Sequence, residues 1–262
     1  MKIGVGYRRE LAGWIDSQPV GVTCLEITAE HFPAEEEARL TALSSRYELY
    51  VHGLGLSLGT PGCLDAKRLA RFARVAKTAN ARWVSEHIAF TRTAEVDLGH
   101  LNPIQPTRAN VRLIAAHARE IAERCARPLL LENITSHLRL EGELAETDFL
   151  NAICAEADCG LLLDVTNLFI NSRNHRFDPL AWLDQLDASR IVQLHLVGYA
   201  EEHGRFADDH AHAVQPELLE LAREVITRAP VQAMILERDE AFPDGALMDA
   251  EVDKLTGLCA RD

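Results

Sequence analysis

The stretch Ile191–Val214, IVQLHLVGYAEEHGRFADDHAHAV, opens as a buried strand through Ile191, Val192, Leu194 and Leu196, with His195 set in its apolar run. A polar loop follows and closes on Asp208-Asp209-His210-Ala211-His212. Asp208 and His210 lie two apart, so in extended backbone both side chains project to one side. A histidine in a strand followed by an Asp-x-His loop is one way to hold a metal ion. Taken alone, the stretch is better explained by a satisfied core histidine beside a solvated acidic loop. The rest of the chain shifts that balance, because strand after strand ends in the same manner.

Eight short apolar runs predict strands: 2–7, 22–28, 49–56, 82–90, 128–134, 160–165, 191–197 and 232–237. Their near-continuous hydrophobicity (LLLDV, PLLLENI, AMILE) suits parallel strands covered on both faces. Amphipathic segments with helix-start signals lie between them. Asp65 precedes one, Thr107 precedes a long one to Cys125, and Asp178-Pro179 places proline at a first helical position. Segments 217–228 and 247–258 supply the last two. Eight β/α alternations in 262 residues predict one (β/α)8 TIM barrel of the xylose isomerase type, spanning 1–262 as a single domain. The glycine-rich run His52–Gly59 lacks the Lys-Ser/Thr of a phosphate loop, and close backbone packing at the barrel mouth is the expected use.

Composition narrows the function. The net charge of −13 argues against a nucleic-acid partner, which would need clustered Lys and Arg. Six scattered cysteines without a C-x-x-C pair suit a reducing compartment. No apolar run approaches the roughly 20 residues of a membrane span. The chain opens directly on a strand with no signal-peptide pattern, so a cytoplasmic location is expected.

A TIM barrel forms its site at the C-terminal ends of its strands. Those ends carry Glu26, His52, His87, Glu132, Asp164, His195 with the following Asp208 and His210, and Glu237. So many ionisable groups at one mouth would be costly unless cations compensated them. Imidazole and carboxylate without thiolate suit Zn, Fe or Mn. The donors outnumber what one ion can use, which predicts two or three ions bridged by carboxylates. Asn167, three residues past Asp164, offers a carbonyl oxygen as a further donor.

Taken together, GVGYR at 4–8, LEITAEHF at 25–32, VHGLGLSLG at 51–59, VSEHIAF at 84–90, GHLNPIQPT at 99–107, LLLENI, LLLDVTNLFINSRNH, HLVGY, DDHAHAV and ILERD resemble the DUF692 (UPF0276) family. These are multinuclear non-haem iron-dependent oxidases that modify ribosomally made peptides. The similarity runs nearly end to end. It implies ligation by His52, His87, Glu132, Asp164, Asn167, His195, Asp208, His210 and Glu237. It further implies two or three iron ions in mixed Fe(II)/Fe(III) valence, with zinc or manganese as substitutes. Many relatives carry His where this chain has Tyr199, Asp at Ala211 and Asn at Thr166, so a third iron is the least secured of the set. Glu26, Glu86, Asn133 and Asp239 are placed to orient ligands. His100, His175 and His212 are candidates for orienting ligands or substrate, with a purely structural role as the alternative.

The resemblance implies O2-dependent oxidation of a Cys, Asp or Asn type residue in a precursor peptide. A trinuclear-zinc phosphodiesterase of the endonuclease IV type shares the ligand order, but it has His at the position of Asn167 and a basic, DNA-gripping surface. A sugar isomerase-like enzyme would need a Lys or His near the sugar, and no lysine lies near a strand end beyond Lys2. A non-catalytic binding protein would not need the full donor set. Because the eight β/α units use nearly all the residues, a separate partner protein is expected to capture the peptide leader. Its docking place would be exposed apolar surface away from the mouth.

Overall fold

Side chains alternate across a strand, and the eight apolar runs use that period to sort two populations. Leu25, Ile27, Val51, Leu129, Leu131, Leu161, Leu163, Leu194, Leu196, Met234 and Leu236 pack outward in one large apolar cluster. Cys24, Tyr50, Trp83, Leu130, Leu162, Ala233 and Ile235 form a second, smaller cluster. In register terms these are the inward positions, a plug in the barrel's interior. Tyr50 and Trp83 stack there with ring centroids 4.1 Å apart. Two residues beyond Cys24, Tyr50, Trp83, Leu130, Leu162 and Ile235, the next inward position is polar: Glu26, His52, Ser85, Glu132, Asp164 and Glu237.

The computed structural model describes residues 1–93 and 95–259, so the last three residues of the expected 1–262 domain lie outside it. The chain begins with β1 (Lys2–Gly6), α1 (Ala12–Asp16), β2 (Cys24–Thr28), α2 (Glu37–Ser44), β3 (Glu48–Gly53), α3 (Ala66–Thr78) and β4 (Val84–His87). A hairpin of β5 (Phe90–Arg92) and β6 (Asp97–Asn102) leads to α4 (Arg108–Cys125), β7 (Leu129–Glu132), α5 (Glu146–Ala157) and β8 (Gly160–Asp164). Then come α6 (Val165–His175), α7 (Pro179–Leu183), β9 (Ile191–Leu196) and a second hairpin, β10 (Gly198–Glu202) with β11 (Arg205–His212). The chain continues with α8 (Pro216–Arg228), β12 (Ala233–Leu236) and α9 (Gly245–Gly257).

Eight parallel strands close in the order β1-β12-β9-β8-β7-β4-β3-β2, which is the expected (β/α)8 barrel. The helix starts fall where their capping residues predict. Asp65 accepts from the backbone N–H groups of Lys67 and Arg68, Thr107 from Asn110, and Asp178 from Leu180, with Pro179 opening its helix. Each cap satisfies donors that the first turn leaves free.

Both antiparallel hairpins are additions to the expected outline. From sequence, 198–212 is expected to be a polar loop, because its one-faced burial gives no apolar run. It is instead a paired ribbon whose Phe206 and Tyr199 pack on Phe169 of α6, with centroids 5.9 and 5.1 Å from that ring. The glycine-rich run does serve close packing. A Cβ on Gly53 would lie 2.7 Å from Glu86 Oε2, and one on Gly59 2.3 Å from Ile104.

Candidate metal centre

Register brings the polar inward positions together. Parallel strands in register point paired residues to the same side. His52 pairs with Ser85, His87 with Glu132, and Asp164 with His195. Glu237 follows β12 directly, and its N–H binds Leu196 O at 3.0 Å. Asp164 is also the N-cap of α6, accepting from Asn167 N at 2.7 Å. The Asp-x-x-Asn spacing is therefore a capping device as well as a pair of donors.

Three donor groups result, and the atoms within each lie within 4.8 Å of one another. The inner group is His52, His87 and Glu132; the middle is Glu132, Asp164, His195 and Glu237; the outer is His210, Glu237 and Asp239. Glu132 Oε2 lies 3.4 Å from both His52 Nε2 and His87 Nε2, while its Oε1 lies 3.1 Å from His195 Nδ1. Glu237 Oε2 lies 3.0 Å from His195 Nδ1 and 4.0 Å from His210 Nδ1. Two carboxylates thus link three groups into one chain of donors, and no cysteine enters any of them among the described residues.

The far atoms of the rings are held. His52 Nδ1 lies 2.8 Å from Ser85 Oγ, and His87 Nδ1 lies 3.2 Å from Gly53 O. His195 Nε2 lies 2.8 Å from Glu26, which also accepts from Gln193. Such partners fix which nitrogen faces an ion. Asn133 clamps the Asp164 backbone, donating to its carbonyl at 3.0 Å and accepting from its N–H at 2.9 Å.

Charge in this mouth is finely opposed. Burial works against an imidazolium at His87, but the Glu132 and Glu86 carboxylates outweigh it and hold the ring up to about 9. His195 is raised well above its ordinary range in spite of burial, by Glu26, Glu132 and Glu237. Burial is likewise overcome at His210, where Glu237, Asp208 and Asp239 push the ring up to about 12. Asp164 moves the other way for a carboxyl, raised by burial and then by Asp208 and Glu132. Glu132 Oε2, Asp208 Oδ1 and His210 Nδ1 are moreover buried without an aligned hydrogen bond. Buried orphans are rare, and here they fit a site built for metal ions.

Seven of the nine expected ligands, His52, His87, Glu132, Asp164, His195, His210 and Glu237, fall in these three groups. Asn167 is placed differently: its Oδ1 accepts from Thr135 Oγ1 and its Nδ2 donates to Asn133 O at 3.2 Å. Asp208 is 3.0 Å from His210 Nε2 and belongs to none of the three groups, whereas Asp239 does. His210 itself has a left-handed backbone, φ +51°, so the simple two-apart alternation does not hold across Asp208–His210. Glu26 stands beside His195 Nε2 at 2.8 Å and Glu86 beside His87 Nδ1 at 3.4 Å. His100 and His212 are exposed on hairpin strands, bound to Leu98 O and Asp209, and His175 is tied to Ser136 O; none joins a donor group. Ser85, Gln193 and Arg8 were missed, since an uncharged inward residue or an arginine past a strand end carries no metal-like signal.

A cavity of about 740 Å³ opens beside the centre, lined by Ile88, Ile104, Asn133, Ile134, Leu138 and His175 among others. A cavity of similar size, about 750 Å³, at the strands' opposite ends is lined by Glu48, Arg82, Pro128 and Gln232 and holds no histidine.

An eight-stranded barrel with carboxylate-linked imidazole groups at its C-terminal mouth defines a xylose isomerase-like TIM barrel whose mouth could hold metal ions. Within that class, residues 2–260 match the family described as RiPP precursor modification enzyme MbnB/TglH/ChrH, and the chain belongs to it. A UPF0276 protein of Bordetella bronchiseptica is 33% identical over 271 residues, covering 99% of this chain and 93% of that one. A UPF0276 protein of Rhizorhabdus wittichii is 30% identical over 245 residues, covering 92% and 88%. Among solved structures, endonuclease IV from Thermus thermophilus matches with a TM-score of 0.64 at 18% identity, over 98% of this chain and 100% of that one. That likeness concerns the fold alone. Among the described residues, no helix is long and apolar enough to cross a membrane.

Proposed function

We propose that this chain is a multinuclear non-haem iron oxidase that uses O2 to modify a Cys, Asp or Asn type residue of a ribosomally made precursor peptide, working in the cytoplasm. The observation that carries the reading is the pair of shared carboxylates, Glu132 and Glu237, linking three donor groups. His52, His87 and Glu132 would hold one ion, and Glu132, Asp164, His195 and Glu237 a second. A third would be held by His210 with Glu237 and Asp239, or with Asp208. Bound iron supplies the redox partner for O2 and an electrophilic seat for the substrate side chain. The donor set also admits zinc or manganese.

The chain's own residues do the rest. Ser85, Gly53 and Glu26 orient the three barrel histidines. The apolar wall of Ile88, Ile104 and Ile134 offers a dry place for the residues flanking the reacting one. Against a phosphodiesterase stand the charge of −13 and Asn167, whose carboxamide is engaged by Thr135 and Asn133. The leader of the precursor would be captured by a separate partner protein, because an unstructured peptide loses affinity to its own ordering.

The test is anaerobic reconstitution with Fe(II), metal analysis and Mössbauer spectroscopy, followed by O2 uptake and peptide mass change with the precursor present. Fewer than two irons per chain, or peptide modification that proceeds without O2, would sink the reading. Turnover of the full precursor with and without the candidate partner tests the second component. Tight leader binding by this chain alone would remove the need for it.

A further inference from the structure

Arg8 plays no part in the reading above, although it ends the GVGYR motif at the barrel mouth. Its side chain is only 10% exposed. Its Nε donates to Asp239 Oδ1, its Nη2 to Glu237 Oε1 at 3.4 Å, and its Nη1 to the Tyr7 carbonyl at 3.0 Å. On both carboxylates the second oxygen faces the other way. Glu237 Oε2 lies 3.0 Å from His195 Nδ1, and Asp239 Oδ2 lies 2.9 Å from His210 Nδ1. The backbone reinforces the arrangement, since His210 O accepts from Asp239 N at 3.1 Å and Glu240 N at 3.3 Å.

We infer that Arg8 is a positioning residue for the middle and outer donor groups: one guanidinium fork holds the back oxygen of Glu237 and of Asp239 so that the front oxygen faces His195 and His210. This rests on the metal centre proposed above. A planar fork presents donors in fixed directions, which a lysine ammonium cannot reproduce. The inner group is independent of it, because none of Arg8's hydrogen bonds reaches His52, His87 or Glu132. Arg8 therefore divides the centre into a part that depends on the fork and a part that does not.

The experiment titrates Zn(II) into the metal-free protein, following the imidazole 15N resonances of the four histidines and the number of ions bound. In Arg8→Lys, which keeps the charge, zinc is expected to reach His52 and His87 with wild-type affinity. At His195 and His210 it should bind roughly 10–100-fold more weakly, the usual cost of losing a partner behind a ligand. Arg8→Ala should show the same division more steeply. Equal weakening at all four histidines would reduce Arg8 to bulk charge compensation and overturn the assignment, and so would unchanged affinity at His195 and His210. Fewer than two zinc ions in the wild-type chain would instead remove the metal centre itself, whatever the variants do.

Discussion

His52 and His87 stand on the barrel strands β3 and β4, fully enclosed, each ring held at Nδ1 and facing Glu132 with Nε2. His210 stands on an excursion from the barrel, the hairpin β10–β11. It is part-buried, with a left-handed backbone and carboxylates on both sides. The inner group is fixed by strand register, as a rigid scaffold fixes a site. The outer group depends on how the hairpin is seated, through the aromatic contacts of Phe206 and Tyr199 on α6 and the strap from Asp239 and Glu240. Two ends of one centre therefore differ in what would disturb them.

The largest effect should come from the residue that belongs to neither end alone. Glu132→Ala removes both oxygens that face His52, His87 and His195. Metal content should fall by two ions, and activity by more than the roughly 100-fold that losing an outer partner costs. His210→Ala should instead release one ion and leave the inner group loaded, by metal analysis and Mössbauer counting. A variant set in which His210→Ala abolishes turnover while Glu132→Ala retains most of it would invert the assignment of the bridge.

The same contrast governs what was legible before the structure. All eight barrel strands, their order of polar ends and the capped helix starts could be read, because register and the period of two follow from apolar alternation. The donors on strand ends were legible for that reason. The hairpins were not: β11 buries only one face, and β6 is bounded by Pro103 with little apolar content. Hence the place of Asp208 and Asp239 around His210 was the part read least well. Gln193 and Ser85 escaped because their meaning lies across the barrel, in Glu26 and His52, and local sequence does not carry that pairing.

The histidines also set an intermediate effect that depends on pH. In the metal-free chain His87 is raised from its ordinary 6.5 to about 9, with burial opposing and Glu132 and Glu86 prevailing. A raised group stabilises the fold fully below its unfolded value, and that contribution is lost as pH rises through the folded one. Metal-free protein should therefore lose the His87 contribution progressively between pH 6.5 and about 9, with His210 carrying the decline on toward about 12, seen as a falling urea midpoint. Ions bound to the imidazoles would replace those protons, so the loaded protein should stay level over the same window, and loading should release protons. A loaded protein that declines in parallel with the metal-free one would show that His87 does not face an ion.

The smallest expected effect tests the inner end most finely. Ser85 Oγ is the partner of His52 Nδ1 at 2.8 Å, and both are buried. Ser85→Ala deletes one uncharged oxygen, leaving the ring free to rotate and its Nδ1 without that partner. A lost buried hydrogen bond of this kind costs about 1–3 kcal/mol of stability, and a missing partner behind a ligand about tenfold in metal affinity. The loss should be confined to the ion at His52 and His87, while zinc titration at His210 stays as in the unaltered chain. If Ser85→Ala weakens His210 as much as His52, the two ends are coupled more tightly than their separate anchoring allows. The hairpin would then take its position from the occupied barrel, and the outer group would form only after the inner one.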